Sequence, residues 1–156
     1  MFPPNFIIPA RIDCCYHASS KKRALERVGE LLSTAAPGLS EEDVFSQLLE
    51  RERLGSTGLG YGIALPHARM KGITQACGAL VRLKAGIDYD AIDGQPVDLV
   101  FGLLVPHEAT QEHLQLLARL ASLFSNPEFR DQLRKASDAD EFMAIIQRES
   151  EYQESA

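Results

Sequence analysis

The stretch from Val97 to Val105, which reads VDLVFGLLV, constrains the possible folds more than any other part of the chain. An apolar run with so few interruptions is typical of a strand in the interior of a sheet. Two other segments with strand character precede it, a short apolar run at Ile63–Leu65 and an alternating pattern at 77–83. The sequence therefore predicts a sheet with the 97–105 strand at its centre.

Apolar residues with helical spacing flank these strands on both sides in the sequence. Two helices are predicted before the strands, after Ser20 and Ser40, whose side chains can accept a hydrogen bond from an exposed backbone N–H. Three helices are predicted after them, with Thr110 and Ser137 as caps of the first and the last. The fold class expected from this order is α/β, a single-domain sandwich with a mixed central sheet flanked by helices.

Length and composition indicate one domain over residues 1–156, with a core at about 11–147 and a frayed acidic tail at 148–156. The net charge of −6 argues against nucleic acid as a partner, because a phosphate backbone requires a basic surface. No apolar run reaches the roughly 18 residues of a membrane span, so no membrane insertion is expected. The three cysteines form no CxxC pair, which favours a reducing compartment and a cytoplasmic location.

The segment Gly55–His67, GSTGLGYGIALPH, contains the most prominent candidate for chemistry. Its glycines predict tight turns or a close approach to a ligand, and their backbone N–H groups could form a phosphate-binding loop. A neutral imidazole such as that of His67 can act as a nucleophile at pH 7. The alternative is a loop histidine with one structural hydrogen bond. The predicted loop residues are Ser56, Thr57, Gly58 and Gly60.

His113 is the second candidate histidine. With Thr110 as the cap, it occupies the third helical position, where the helix dipole keeps its ring neutral and able to donate a hydrogen bond to an anion. A surface position without a function is an equally good interpretation. The remaining histidines, His17 and His107, are interpreted as structural.

Arg51 and Arg53 lie in the last turn of the second helix, directly before the glycine-rich segment. They can complement the negative end of the helix dipole, or one of them can fold back to neutralise phosphate oxygens. The spacing of the residues does not choose between these roles. No set of ligands with metal-binding spacing accompanies the histidines, and we expect neither a metal nor a cofactor.

These segments resemble a known family. GSTGLGYGIALPH is similar to the active-site segment of enzyme IIA domains of the mannitol/fructose class in the bacterial phosphoenolpyruvate-dependent phosphotransferase system. The resemblance is closer to the nitrogen-regulatory (PtsN-type) branch, through SKKRALE at Ser20–Glu26, LLERERLGSTGLG, YDAIDGQPVDLVFGLLVP and EHLQLLARLASLF. It extends from about Arg11 to Ile146. Two departures are Tyr61, where Asn is common, and Ala68-Arg69 in place of Gly-Lys.

The resemblance implies a mannitol-type enzyme IIA fold and a role for each candidate residue. His67 would be phosphorylated on Nε2, His113 would hydrogen-bond the phosphoryl group, and Arg51 would neutralise its charge. The chain would be a regulatory phosphocarrier that accepts phosphate from an HPr-like protein. Its phosphorylation state would then control nitrogen- and potassium-related cytoplasmic targets. Because the chain is acidic overall, the donor is expected to offer a positive rim.

Three alternative functions can be considered for the same residues. A sugar-specific enzyme IIA would pass the phosphoryl group to a IIB partner during fructose- or mannitol-type uptake. A metal-dependent hydrolase would use His67 and His113, but it lacks a third ligand at recognisable spacing. A binding module without chemistry would use the glycine-rich segment only as a turn.

Overall fold

The computed structural model describes residues 2–155, in which a six-stranded mixed sheet is surrounded by five α-helices. The strands are β1 (Ile12–Tyr16), β2 (Gly58–Gly60), β3 (Ile63–Ala64), β4 (His67–Met70), β5 (Cys77–Ile87) and β6 (Val97–Pro106). The helices are α1 (Lys21–Ser33), α2 (Glu41–Leu54), α3 (Thr110–Phe124), α4 (Pro127–Lys135) and α5 (Ala139–Ser155), and a short 3-10 helix covers Pro9–Arg11.

Strand β6 lies at the centre of the sheet, as its apolar sequence predicts. It pairs antiparallel with β5 and parallel with both β3 and β4. Every residue of β6 except Asp98 is buried. The strand order is β1-β5-β6-β3-β2, and β4 continues along β6 beyond β3.

The two faces of the sheet carry separate apolar clusters. Leu99, Phe101 and Leu103 point into the cluster shared with α3, α4 and α5, whereas Val100 and Leu104 point into the cluster shared with α1 and α2. This alternation follows from the two-residue period of a strand. Helices therefore cover both faces, and the predicted α/β sandwich with a mixed sheet is confirmed.

The predicted starts of the first two helices are confirmed. The Ser20 side chain accepts a hydrogen bond from the backbone N–H of Arg23, and the Ser40 side chain accepts one from Asp43. Three acidic residues occupy the first turn of α2, where they complement the positive end of the helix dipole. Helix α2 then runs to Leu54 and ends at the start of the glycine-rich segment.

The predicted caps of α3 and α5 are wrong by one residue. Thr110 is the first residue of α3 because a turn, closed by a hydrogen bond from Ala109 N–H to Pro106 O, leads directly into the helix. His113 is therefore the fourth helical residue and not the third. Asp138, rather than Ser137, caps α5, since its carboxylate accepts from the backbone N–H of Glu141.

The acidic tail also differs from the prediction of a frayed end at 148–156. Helix α5 continues through Ser155 and packs along α3, where Arg119 forms an ion pair with Glu154 at 2.8 Å. The Ser122 hydroxyl donates to the side chain of Gln153. These contacts between distant segments hold the tail helical, and only Ala156 of it lies outside the described residues. Within 2–155, no helix combines the length and apolar character that a membrane crossing requires.

Candidate active site

His67 is the first residue of β4, and its ring is held by one partner at each nitrogen. Nδ1 lies 2.8 Å from the carbonyl oxygen of Leu65, and Nε2 lies 3.2 Å from Nε of Arg51. The guanidinium can only donate, so Nε2 is assigned the lone pair and Nδ1 the hydrogen that it donates to Leu65. This tautomer makes Nε2 the nucleophilic atom.

Arg51 uses the last turn of α2 to reach the histidine. Besides its bond to His67, it donates from Nη1 to the carbonyl oxygen of Gly55 at 2.9 Å. Residue spacing alone did not choose between the two arginines, and the resemblance implied Arg51. Arg51 contacts the ring, while Arg53 is exposed. A cation beside Nε2 is suited to an anion attached there.

His113 lies beside His67, with ring centroids 5.0 Å apart and planes inclined by 72°. Its Nε2 is buried and, among the side-chain N and O atoms of residues 2–155, is the only buried one without a hydrogen-bond partner. A buried polar atom without a partner is costly, and it commonly marks a position that a ligand completes.

Both rings are neutral at pH 7. Burial is the largest cause that lowers the pKa of His113 to about 4. Repulsion of a protonated His113 ring by a protonated His67 and by the guanidinium groups of Arg69 and Arg51 acts in the same direction. Burial is also the largest cause that lowers the pKa of His67, and Arg51 acts in the same direction against the opposing effect of the Leu65 carbonyl. The causes of the lowered pKa of His113 are thus burial and neighbouring positive charge, in place of the helix dipole that motivated the prediction.

An open cavity of about 820 Å³ lies in front of the two histidines. Its rim carries two strongly exposed apolar side chains, Leu54 and Leu114, at 84% and 69% exposure. The charged lining residues are three arginines and one glutamate: Arg51, Arg53, Arg69 and Glu50. The site is therefore locally positive on a chain whose formal net charge is −6.

His107 and Arg69 are among the lining residues that the sequence analysis did not select as site residues. His107, interpreted as structural, lines the cavity and donates its backbone N–H to Met70. Arg69 lines it because it lies two residues after His67 on β4 and so shares its face. The sequence could have predicted the position of Arg69 only if β4 had been recognised as a strand. Because β4 has four residues and directly follows a proline, its sequence shows too little alternation for that.

The predicted loop residues lie elsewhere. None of Ser56, Thr57, Gly58 and Gly60 is among the described residues that line the cavity. The Ser56 hydroxyl donates to the carbonyl of Tyr89, and the Thr57 side chain is buried against Glu52. These contacts place the segment behind the histidines, where it supports α2 and β3.

The two departures from the family pattern fall at different places. Tyr61, with a positive φ of 59°, stacks its ring over Arg130 and does not line the cavity. Ala68 and Arg69 do line it. The replacement of Gly-Lys by Ala-Arg therefore changes the surface beside His67, whereas Tyr61 leaves that surface unchanged. Within 2–155, no three His, Cys, Asp or Glu side chains are grouped as a metal would require.

Comparisons with known proteins agree on one family. Residues 5–149 match the family described as phosphoenolpyruvate-dependent sugar phosphotransferase system, EIIA 2. The chain is 45% identical over 142 residues to the nitrogen regulatory protein of Pseudomonas aeruginosa, covering 91% of this chain and 92% of that protein. The crystal structure of nitrogen regulatory protein IIA-Ntr from Neisseria meningitidis matches with a TM-score of 0.85 and 46% identity, over 90% of this chain and 95% of that one.

The structure of IIA mannitol from Escherichia coli matches with a TM-score of 0.73 over 89% of this chain and 97% of that one. Its identity of 22% shows the fold alone, and it confirms the mannitol-type fold. The family match covers most of the chain, and the relatives at 45% and 46% identity are nitrogen regulatory proteins. The chain belongs to the EIIA 2 family of the phosphoenolpyruvate-dependent phosphotransferase system, as one of its phosphotransfer components.

Proposed function

We propose that this chain is a cytoplasmic regulatory phosphocarrier of the nitrogen-regulatory type, acting as a single enzyme IIA domain over residues 1–156. His67 accepts a phosphoryl group on Nε2 from an HPr-like protein. The observation that carries the proposal is the pair of neutral rings at the cavity, with the nucleophilic Nε2 of His67 beside the unpartnered Nε2 of His113.

The transfer step uses the lone pair on Nε2 of His67. A bond forms from Nε2 to phosphorus while the bond from phosphorus to the donor breaks, and that electron pair stays with the donor. Arg51 donates to the same lone pair at 3.2 Å, so it must leave Nε2 and move onto the phosphoryl oxygens. The Nδ1–H bond to Leu65 stabilises the positive charge that the ring gains.

His113 completes the site as a hydrogen-bond donor. A proton on its Nε2 would reach a phosphoryl oxygen and give the buried atom the partner that it lacks. In the unphosphorylated protein its pKa is about 4, so at pH 7 the ring is neutral when the phosphoryl group arrives. It can therefore donate this bond without first carrying a charge. Phosphate contact by Ser56, Thr57, Gly58 and Gly60 stays a prediction, and the proposal does not depend on it.

The surface around the cavity suggests how partners dock. The arginines and exposed leucines of the rim suit a partner with an apolar patch bordered by acidic groups. The net charge of the chain alone led to the expectation that the donor has a positive rim. An acidic partner surface fits better, because a docked partner contacts the local charges of the cavity rim rather than the net charge of the chain. Phosphorylation adds about −1.5 to −2 charges within this rim. A target that binds to the positive charge of the rim would therefore be released.

The direct test is labelling with phosphoenolpyruvate, enzyme I and an HPr-type protein, followed by intact-mass measurement. We expect one acid-labile phosphoryl group on the wild type and none on His67→Ala. His17→Ala changes an exposed histidine that does not line the cavity and is the matched control, which should label fully. Equal labelling of His67→Ala and wild type would contradict the assignment.

The alternative, a sugar-specific enzyme IIA, is supported by the family description, which names a sugar phosphotransferase system. It is tested by adding IIB domains of the fructose and mannitol type to the labelled protein. Rapid loss of the label to a IIB domain would support this alternative. A label that persists on His67 and returns only to the HPr-type protein would support the regulatory role.

A further inference from the structure

A buried carboxylate lies directly behind the candidate site. Glu52 follows Arg51 in α2, and its side chain is 3% exposed. Its Oε1 accepts from the backbone N–H of Thr57 at 2.8 Å and pairs with the Lys21 ammonium at 2.9 Å. Its Oε2 accepts from the Thr57 hydroxyl at 2.6 Å and from the Tyr89 hydroxyl at 3.4 Å. The segment after α2 is therefore held to the helix end through two bonds to one threonine.

The first connection to the site runs from this threonine to Nδ1 of His67. The carbonyl of Thr57 accepts from the backbone N–H of Leu65 at 3.0 Å. The carbonyl of Leu65 in turn accepts from Nδ1 of His67 at 2.8 Å. The position of Thr57 thus sets the carbonyl that selects the tautomer of the nucleophile.

The second connection runs to Nε2 through the arginine. Thr57 is two residues after Gly55, whose carbonyl accepts from Nη1 of Arg51 at 2.9 Å. Nε of the same guanidinium contacts Nε2 of His67 at 3.2 Å. Both nitrogens of the nucleophilic ring therefore depend on the segment that Glu52 fixes.

We propose that Glu52, acting through Thr57, is a positioning residue for phosphoryl transfer at His67. It holds the 55–57 segment so that Gly55 orients the guanidinium of Arg51 and Leu65 orients the imidazole. It touches neither the ring nor the cavity. The inference rests on the proposed function of His67 and assigns the threonine of the glycine-rich segment to support rather than to phosphate contact.

The environment of Glu52 suits this role. Lys21, at the start of α1, supplies the opposite charge and lies 4.6 Å from the centre of the Tyr89 ring. Burial raises the pKa of Tyr89, so its hydroxyl remains a donor. A buried ion pair is often replaceable by apolar residues without loss of stability, so its presence next to the site favours a role in fixing geometry.

Four substitutions, one of them a control, separate positioning from general stability. Glu52→Gln keeps the shape but cannot accept from all of its present donors, and Thr57→Val removes the hydroxyl without changing charge. Thr57→Ser keeps the hydroxyl and should restore function. Glu42→Gln, at the exposed start of α2, controls for the loss of one carboxylate from the same helix.

The first measurement is single-turnover transfer from a phosphorylated HPr-type protein over a range of donor concentrations. We expect the maximal rate of Glu52→Gln and Thr57→Val to fall roughly tenfold, because a displaced reactive group loses much of the advantage of orientation. The half-saturating donor concentration should change much less than the rate, since Arg53, Arg69 and the exposed Leu54 and Leu114 of the rim are not altered. Thr57→Ser and Glu42→Gln should retain wild-type rates.

The second measurement is the ¹⁵N NMR spectrum of the histidine side chains, which does not require transfer. In both slow variants, the Nδ1 proton of His67 should exchange faster with water and its nitrogen shifts should move towards those of a free tautomer mixture. Folded Glu52→Gln and Thr57→Val proteins with wild-type rates and wild-type spectra would overturn the inference. If the wild type itself accepts no phosphoryl group, the proposed function fails, and the spectra alone decide whether Glu52 positions the ring.

Discussion

Arg51 and Glu52 are consecutive residues in α2, yet their side chains meet opposite environments. Arg51 points to an open cavity in which the Nε2 of His113 has no partner among the described residues. Glu52 points into the interior, where both of its oxygens accept hydrogen bonds. On the cavity side, a buried nitrogen lacks a hydrogen-bond partner that a ligand could supply. On the interior side, the carboxylate oxygens have hydrogen-bond partners within the protein.

This difference predicts that transfer can be impaired without loss of stability on the cavity side of this helix end, whereas on the buried side the two effects go together. Residues behind the site should affect unfolding when they are truncated, because breaking a buried charged pair leaves the remaining partner unsatisfied. Residues in front should affect transfer with little cost in stability.

The largest effect is expected for Glu52→Ala, which removes the acceptor of the Thr57 N–H and the 2.9 Å partner of Lys21, and leaves Lys21 the more distant Asp90 at 3.8 Å. Removing one member of a buried ion pair costs about 3–5 kcal/mol, and partial exposure of Lys21 favours the lower end. The measurement is the free energy of unfolding from urea denaturation, with Arg51→Ala as the comparison. A loss for Arg51→Ala that equals the loss for Glu52→Ala would remove the distinction between the two sides.

The next effect is expected for His113→Ala, which removes the proposed donor to the phosphoryl group. A hydrogen bond to a charged acceptor contributes about 1.5–3 kcal/mol, so transfer should slow by roughly tenfold to a hundredfold while unfolding changes little. The check is the single-turnover transfer rate together with the lifetime of the phosphoprotein. Wild-type values of both would show that His113 is only a surface residue of α3.

A smaller effect concerns pH. The pKa of His113 is about 4 in the folded protein and about 6.5 when unfolded, so the unfolded state binds more protons between these values. Its contribution to stability is complete above pH 6.5 and is lost as the pH falls towards 4. Urea midpoints measured from pH 7.5 to 4.5 should therefore fall less steeply for His113→Asn than for the wild type. Parallel curves for the two proteins would contradict the lowered pKa.

The smallest effect is expected for a charge mimic at the nucleophile. His67→Asp places one negative charge within the arginine rim, less than a phosphoryl group adds. It should weaken the binding of a target that recognises the positive rim, whereas His67→Ala should retain it. Quantitative affinity capture from an extract of the source cells compares the two baits. Identical partners in identical amounts would show that charge at His67 does not switch binding.

Several features could be predicted from the sequence because their signals are local. The apolar run at 97–105 made β6 a central strand, since such a run has no polar face to offer to water. Ser20 and Ser40 capped α1 and α2, since capping involves only the next few residues. His67 and His113 were selected as a candidate pair, and their rings lie 5.0 Å apart.

Other features were missed because their signals are weak or distant. Strand β1 has no clear alternation and exists through parallel pairing with β5, more than 60 residues later. Strand β4 is four residues long and depends on its register with β6. The tail after residue 147 is polar enough to suggest fraying, but contacts with Arg119 and Ser122 of α3 hold it in α5.

By itself, the sequence determined the order of helices and strands, the central strand and the histidine that the glycine-rich segment presents. These depend on hydrophobic period, capping and turn residues, which act over a few positions. Only the tertiary structure decided which arginine contacts His67, which residues line the cavity, and that Thr57 faces Glu52 rather than the cavity. Those outcomes depend on which side of α2 each residue occupies and on contacts that bring α1, α2 and β4 together, and no short stretch of sequence specifies them.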